Sequence, residues 1–196
     1  MVKKHHGIGF QALNQARTAT HARDFLAGYR ELVVADNALA SAFHNYGELF
    51  SVARKAMREM AIINTASVLD KQPHSTGMLS LIKEVKVERP DLSELCGELK
   101  VRLDAHKATF ANAVVIRSNI LAHRSKQLTY KEVHEKAALS DEALGAAIEA
   151  WLAVAQELSR ATRGEVWSAT LDAGSAARRL LNDIASGVIS RSDQHG

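Results

Sequence analysis

The chain has one cysteine, two prolines and few aromatic side chains, and each shortage excludes something. A lone Cys96 cannot close an internal disulfide, so packing alone must hold the fold and nothing points to an oxidising compartment. With only Pro73 and Pro90, long stretches are free of the strongest helix breaker. Aromatics amount to 5% of the residues, while alanine, leucine and lysine are plentiful, which favours helices over strands. No stretch of about 18 uncharged apolar residues occurs, so no membrane span is expected. The start, Met1-Val2-Lys3-Lys4-His5-His6, turns polar with no run long enough for a signal peptide. A cytoplasmic protein without a membrane partner is the expectation. No Glu-x-x-His pair occurs, which argues against a di-iron bundle. His44 and Glu48 stand four apart on one helix face, but no further ligands follow at matching intervals, so a solvated pair is the better reading. Neither a metal site nor a cofactor is expected.

What is present fits one all-α domain over residues 1–196, with a four-helix-bundle core, short accessory helices and a frayed tail at 190–196. The apolar periodicity predicts a first helix from Leu13 to Ala35, with Phe25, Tyr29, Leu32 and Val33 on its face and a weak point at Gly28. Asp36-Asn37 reads as a break and cap. A second helix is expected from Leu39 to Asp70, striped by Phe43, Tyr46, Phe50, Ala53, Met57, Met60, Ile63, Ala66 and Leu69. Lys71 to Gly77 reads as a loop, followed by a short apolar turn at Leu79, Leu81 and Ile82. Asp91-Leu92-Ser93-Glu94 has capping-box spacing and opens a third long helix with Leu95, Cys96, Leu99, Leu103, His106, Phe110 and Ala113 on its face. A second such box, Thr129 to Glu132, places a short helix from Tyr130 to Lys136. Ser140 caps a helix striped by Leu144, Ile148, Trp151, Ala155 and Leu158, and a last one carries Ala177, Leu180, Leu181, Ile184 and Val188. Cys96 on that stripe reads as a buried inert thiol, and His106 as a core or interface histidine with a hydrogen-bond partner.

The net charge of +3 permits nucleic-acid binding without requiring it, because phosphate-binding surfaces depend on clustering. One residue stands out. Arg117 lies fourteen residues after Leu103 and seven after Phe110. At about 100° per residue it falls within roughly 40° of their direction, so a guanidinium continues an apolar stripe. It must find a carboxylate, a cleft or a partner subunit, because an unpaired buried charge is very costly.

The segment that follows, Ile116-Arg117-Ser118-Asn119-Ile120-Leu121-Ala122-His123, resembles the signature of HEPN-domain proteins. These carry an arginine and a histidine separated by four to six residues; here five intervene. The stretch from Asn64 to Asp70, with Leu79-Ser80-Leu81-Ile82 after a short loop, is similar to the abortive-infection (AbiU-type) branch of that superfamily. The resemblance spans residues 39–160. It implies a homodimer in which two such motifs face each other and cut RNA without metal. His123 would move the proton and Arg117 would bind the phosphate, with Ser118 and Asn119 orienting either group or touching the ribose. On a straight helix Arg117 and His123 lie about 120° apart, so a helix distortion near Asn119–His123 or a second chain is needed to complete a site. Members of that branch often carry an acidic residue shortly after the histidine. Arg124-Ser125-Lys126 stands there instead and makes the vicinity attractive to RNA phosphate, although Arg124 and Lys126 also suit an ordinary helix C-terminus. Two functions fit: an endoribonuclease of a defence or toxin–antitoxin pair, with a possible antitoxin protein as partner, or a non-catalytic helical module binding RNA or protein.

Overall fold

The computed structural model describes residues 7–34, 40–71, 77–122, 129–168 and 172–192. Among these, every regular element is helical and no strand occurs, as the composition requires. The α-helices are α1 (Ile8–Val34), α2 (Ala40–Ala66), α3 (Met78–Glu88), α4 (Ser93–Asp104), α5 (Lys107–Ile116), α6 (Tyr130–Ala137), α7 (Asp141–Arg163) and α8 (Ala173–Ser192). Two compact units can be told apart, Met1–Arg23 with Ile62–Thr170, and Asp24–Ala61 with Leu171–Gly196. No described helix is long and apolar enough to cross a membrane.

The first unit is built around α7. Its stripe of Leu144, Ile148, Trp151, Ala155 and Leu158 is fully buried, and the helix packs on α4 and α5. The α4 and α5 side of this core supplies Leu99, Leu103, Phe110 and Ile116. Trp151 also satisfies its indole by donating from Nε1 to Gln15 Oε1 on α1 at 3.0 Å; truncating such a residue to alanine costs about 3–5 kcal/mol. Ser140 starts α7, its Oγ accepting from the Ala143 amide at 3.1 Å, and Gly164 ends it at φ 74°, a left-handed turn that suits glycine. Thr129 and Glu132 form the expected reciprocal capping box at the head of α6.

Several elements differ from the sequence reading. The buried face of α1 in this unit is Ala12, Ala16, Ala19 and Ala22, small side chains that a search for bulky apolar residues passes over. The helix starts at Ile8 and runs unbroken through Gly28, which is buried and faces Met57: a Cβ there would meet Sδ at 3.0 Å. Val33 is 42% exposed, leaving Leu26 and Leu32 as the fully buried apolar residues of that end. The segment from Met78 is a full helix, with Met78, Leu81, Ile82 and Val85 buried at helical spacing among charges on its other face. The box expected at Asp91 does not form. Arg89 holds that carboxylate through two bonds of 2.9 and 2.7 Å, and Pro90–Leu92 makes a 3-10 turn instead. The third helix is broken at Ala105–His106, where His106 adopts φ −108° and ψ 13°; α5 restarts beyond it.

In the second unit Leu32, Phe50 and Leu181 form the core, with Ala53, Met57 and Ile184 packed against it. Tyr46 departs from helical geometry at φ −127° and ψ 20°, and the kink shifts the stripe so that Tyr46 itself is exposed. Met60 is exposed too, while Ala61, Ile62, Thr65 and Ala66 beyond it are buried. Arg178 on α8 pairs with Glu31 on α1 and holds its carboxylate below the ordinary range. Asp172 accepts from the Ser175 amide at 2.9 Å and so caps α8 at Ala173. The expected break at Asp36-Asn37, the Phe43 and His44 side chains, and most of the loop after Lys71 lie outside what is described.

Candidate functional site

Past Ile116 the chain leaves α-helical geometry and forms a π-helix over Arg117–Ala122. A π turn closes its hydrogen bonds over five residues rather than four, so it is wider and in effect carries one extra residue. Asn119 braces it: its side-chain amide donates to the Val115 carbonyl, one α turn back, at 2.8 Å. This wide turn overlaps the stretch Asn119–His123, where either a helix distortion or a second chain was needed to bring Arg117 and His123 together. Asn119 is therefore seen holding its own helix. Ser118 is half-buried beside it. His123, Arg124 and Lys126 lie outside the described residues.

Arg117 meets a carboxylate. Its Nη2 donates to Asp70 Oδ1 at 2.7 Å and its Nη1 to Oδ2 at 3.3 Å, a two-pronged fork with side chains 27% and 18% exposed. Asp70 is the partner that the sequence reading did not assign. It follows the 3-10 turn Ser67–Leu69 that tightens the end of α2, where Val68 is buried and Ser67 Oγ donates to the Asn64 carbonyl. Its own amide donates to the Ser67 carbonyl at 3.0 Å, and its carbonyl accepts from the Gly77 amide at 3.2 Å. Held on both sides, the Asp70 backbone fixes where the carboxylate stands. Gly77 has to be glycine for room. A Cβ there would sit 2.5 Å from the Asp70 carbonyl oxygen and 2.7 Å from both the Asp70 nitrogen and the Val68 oxygen.

The Asp70–Arg117 pair stands at the wall of a cleft of about 660 Å³. One wall is a continuous face running across α4 and α5, with Lys100, Asp104, Lys107, Ala111, Val114 and Arg117 at three- and four-residue steps. The other is Leu79, Ser80 and Lys83 of α3, and Leu69 to Lys71 close the end. Five cations face two carboxylates here. That surplus of three equals the net charge of the whole chain, so the rest of the sequence sums to neutrality. Lys100 pairs with Asp104 and Arg117 with Asp70. Lys71, Lys83 and Lys107 have no ion pair among the described residues and are exposed. The signal for the α4–α5 wall was in the sequence, as Lys100, Asp104 and Lys107 lie one residue beyond the stripe positions Leu99, Leu103 and His106.

Among the described residues no group of three or more His, Cys, Asp or Glu side chains stands together to hold a metal ion. Cys96 is buried, and burial pushes its thiol above the ordinary range.

No curated protein and no solved structure gives a significant match to the chain. One protein family does: HEPN_AbiU2, described as AbiU2, matches residues 14–185, wider at both ends than the stretch that carries the resemblance. The chain belongs to that family, and is an abortive-infection protein of HEPN type.

Proposed function

We propose that the chain is a metal-independent endoribonuclease, working as a homodimer in a defence or toxin–antitoxin setting, with Arg117 and His123 as its catalytic residues. The observation that supports this is the placement of Arg117. Its guanidinium fork stands in the wall of a lysine-rich cleft, in a widened helical turn that leads straight into the segment containing His123. In the proposed reaction the ribose 2′-oxygen attacks the adjacent phosphorus while His123 takes its proton. The bond from phosphorus to the 5′-oxygen breaks, the proton taken up by His123 passes to that oxygen, and a 2′,3′-cyclic phosphate remains. Arg117 meets the negative charge that builds on the phosphoryl oxygens with two parallel donors. To do so it exchanges the Asp70 carboxylate for the phosphate, which likewise offers the fork a pair of anionic oxygens. Ser118 and Asn119 support the turn, and Arg124 and Lys126 bind neighbouring RNA.

Purified protein in a chelating buffer should cut single-stranded RNA, leave 2′,3′-cyclic ends, and spare a substrate lacking the 2′-OH. His123→Ala and Arg117→Ala should each abolish cleavage with folding and dimerisation retained, and Arg117→Lys should rescue little, because a point charge lacks the planar fork. The fork on Asp70 is also what a purely structural arginine makes, and it favours a second reading, the non-catalytic module. Protein that binds RNA yet cuts none under any condition decides for that module; metal-dependent cleavage of DNA sinks both.

A further inference from the structure

We propose that Lys71, Lys83 and Lys107 hold the backbone phosphates of single-stranded RNA on either side of the one at Arg117. The proposal rests on the ribonuclease reading for its choice of ligand and on the cleft for its residues.

The three lysines come from three different segments: the end of the turn after α2, the middle of α3, and the start of α5. Nothing in the local sequence demands their convergence, and like charges gathered at the rim of one cavity repel. Such a gathering is unfavourable for the empty protein and favourable once a polyanion lies there, because each phosphate neutralised also releases condensed counterions. The remaining cations of the cleft are already matched, Lys100 by Asp104 and Arg117 by Asp70. Among the described residues the unmatched charge of the cleft is thus these three ammonium groups, which act on phosphate as point charges and need no fixed angle.

Shape selects the strand form. A cleft of about 660 Å³ is of the size that holds a small ligand or a short piece of extended chain, and a double helix is far too wide for it. Between the cations the walls are apolar, with Leu69, Leu79 and Val114 half-buried along them. A positively charged groove is what tracks the backbone of a single strand, and since no aromatic side chain lines this one among the described residues, the phosphates and not the bases carry the contact.

The test uses the full chain and a short fluorescent single-stranded RNA methylated at every 2′-OH, so that it can bind but not be cut. Anisotropy titrations over a range of salt give the slope of log K against log salt. Each phosphate contact removed lowers that slope by about 0.7 for a single strand. Lys83→Gln or Lys107→Gln should each lose about 0.7, and the triple variant with Lys71→Gln about 2, which makes binding about a hundredfold weaker at 0.1 M salt if affinity at 1 M salt is unchanged. Lys55→Gln with Lys86→Gln, exposed and outside the cleft, should leave the slope as it was. Asp104→Asn should raise it by about 0.7, by freeing Lys100. The proposal is overturned if the triple variant binds with the parent's slope, if the control pair lowers it equally, or if the parent does not bind the RNA at low salt. Cleavage is read separately on unmethylated RNA. A slope that falls as expected beside RNA that is never cut keeps this proposal and removes the catalytic one; RNA that is cut beside an unchanged slope does the reverse.

Discussion

Gly77→Ala is a one-carbon change whose effect can be worked out in advance. The added Cβ would lie 2.5 Å from the Asp70 carbonyl oxygen and 2.7 Å from two further backbone atoms, the Asp70 nitrogen and the Val68 oxygen. None of these is the tip of a side chain that can swing aside. The backbone must shift, and it is pinned by the buried Val68 on one side and the buried Met78 on the other. Overpacking of this kind costs about 1–3 kcal/mol. Alanine also has fewer unfolded conformations than glycine, which returns about 0.4–1 kcal/mol. The net expectation is a loss of about 1–2 kcal/mol. For a chain of this length that lowers the melting temperature by roughly 2–8 °C, which a far-UV circular dichroism melt reads directly. The displaced backbone carries the carboxylate that holds Arg117, so activity on RNA should fall further than the melt alone accounts for. A Gly77→Ala protein that melts with the parent would refute the close approach, and with it the account of how Asp70 is placed.

Asp70→Asn leaves a half-buried guanidinium facing a neutral amide, and should cost about 1–2 kcal/mol, between the values for exposed and buried ion pairs. Adding Arg117→Met should recover part of it; a strictly additive double variant would show that the two do not interact. Ser140→Ala removes the cap of α7 and should cost about 1 kcal/mol, while Ser140→Gly loses only a few tenths; equal denaturant midpoints for Ser140→Ala and the parent would contradict the cap. The Thr129 amide and hydroxyl hold Glu132 below the ordinary carboxylate range. A lowered folded-state pKa means the cap stabilises α6 above the unfolded value of about 4.3 and is lost as pH falls through the folded one. The protection of α6 amides against hydrogen exchange, corrected for the intrinsic pH dependence of exchange, should therefore fall in acid in the parent and stay flatter with Glu132→Gln; the same pH profile in both would remove that role.

What could be read from the sequence was whatever a single segment decides. The α7 stripe, the Thr129 box and the Ser140 cap depend on neighbours three or four positions away, and all three are where their spacing puts them. Arg117 belongs with them in part, since its position on an apolar stripe already required a carboxylate, a cleft or a partner subunit. The identity of its partner did not follow, because Asp70 lies 47 residues earlier and comes near only through tertiary packing. For the same reason the lysines of the cleft were illegible as a group. Asp91 shows the converse: its spacing was right for a cap, but Arg89 two residues away offered a stronger partner. The face of α1 was missed because alanine at 12, 16, 19 and 22 reads as helix propensity and serves as close packing.

The widened turn at Arg117–Ala122 bears on how such a motif tolerates insertion and deletion. Removing one residue from a π turn closes it to an ordinary α turn, so the shift of about 1.5 Å and about 100° that a deletion imposes on a regular α-helix is taken up within the turn. The upstream helix, with Phe110 and Ile116 locked in the core, need not notice. A spacing of four, five or six residues between an arginine and a histidine then becomes a setting of the turn's girth: the length polymorphism is absorbed where the helix is already out of register, and the scaffold on either side is left alone.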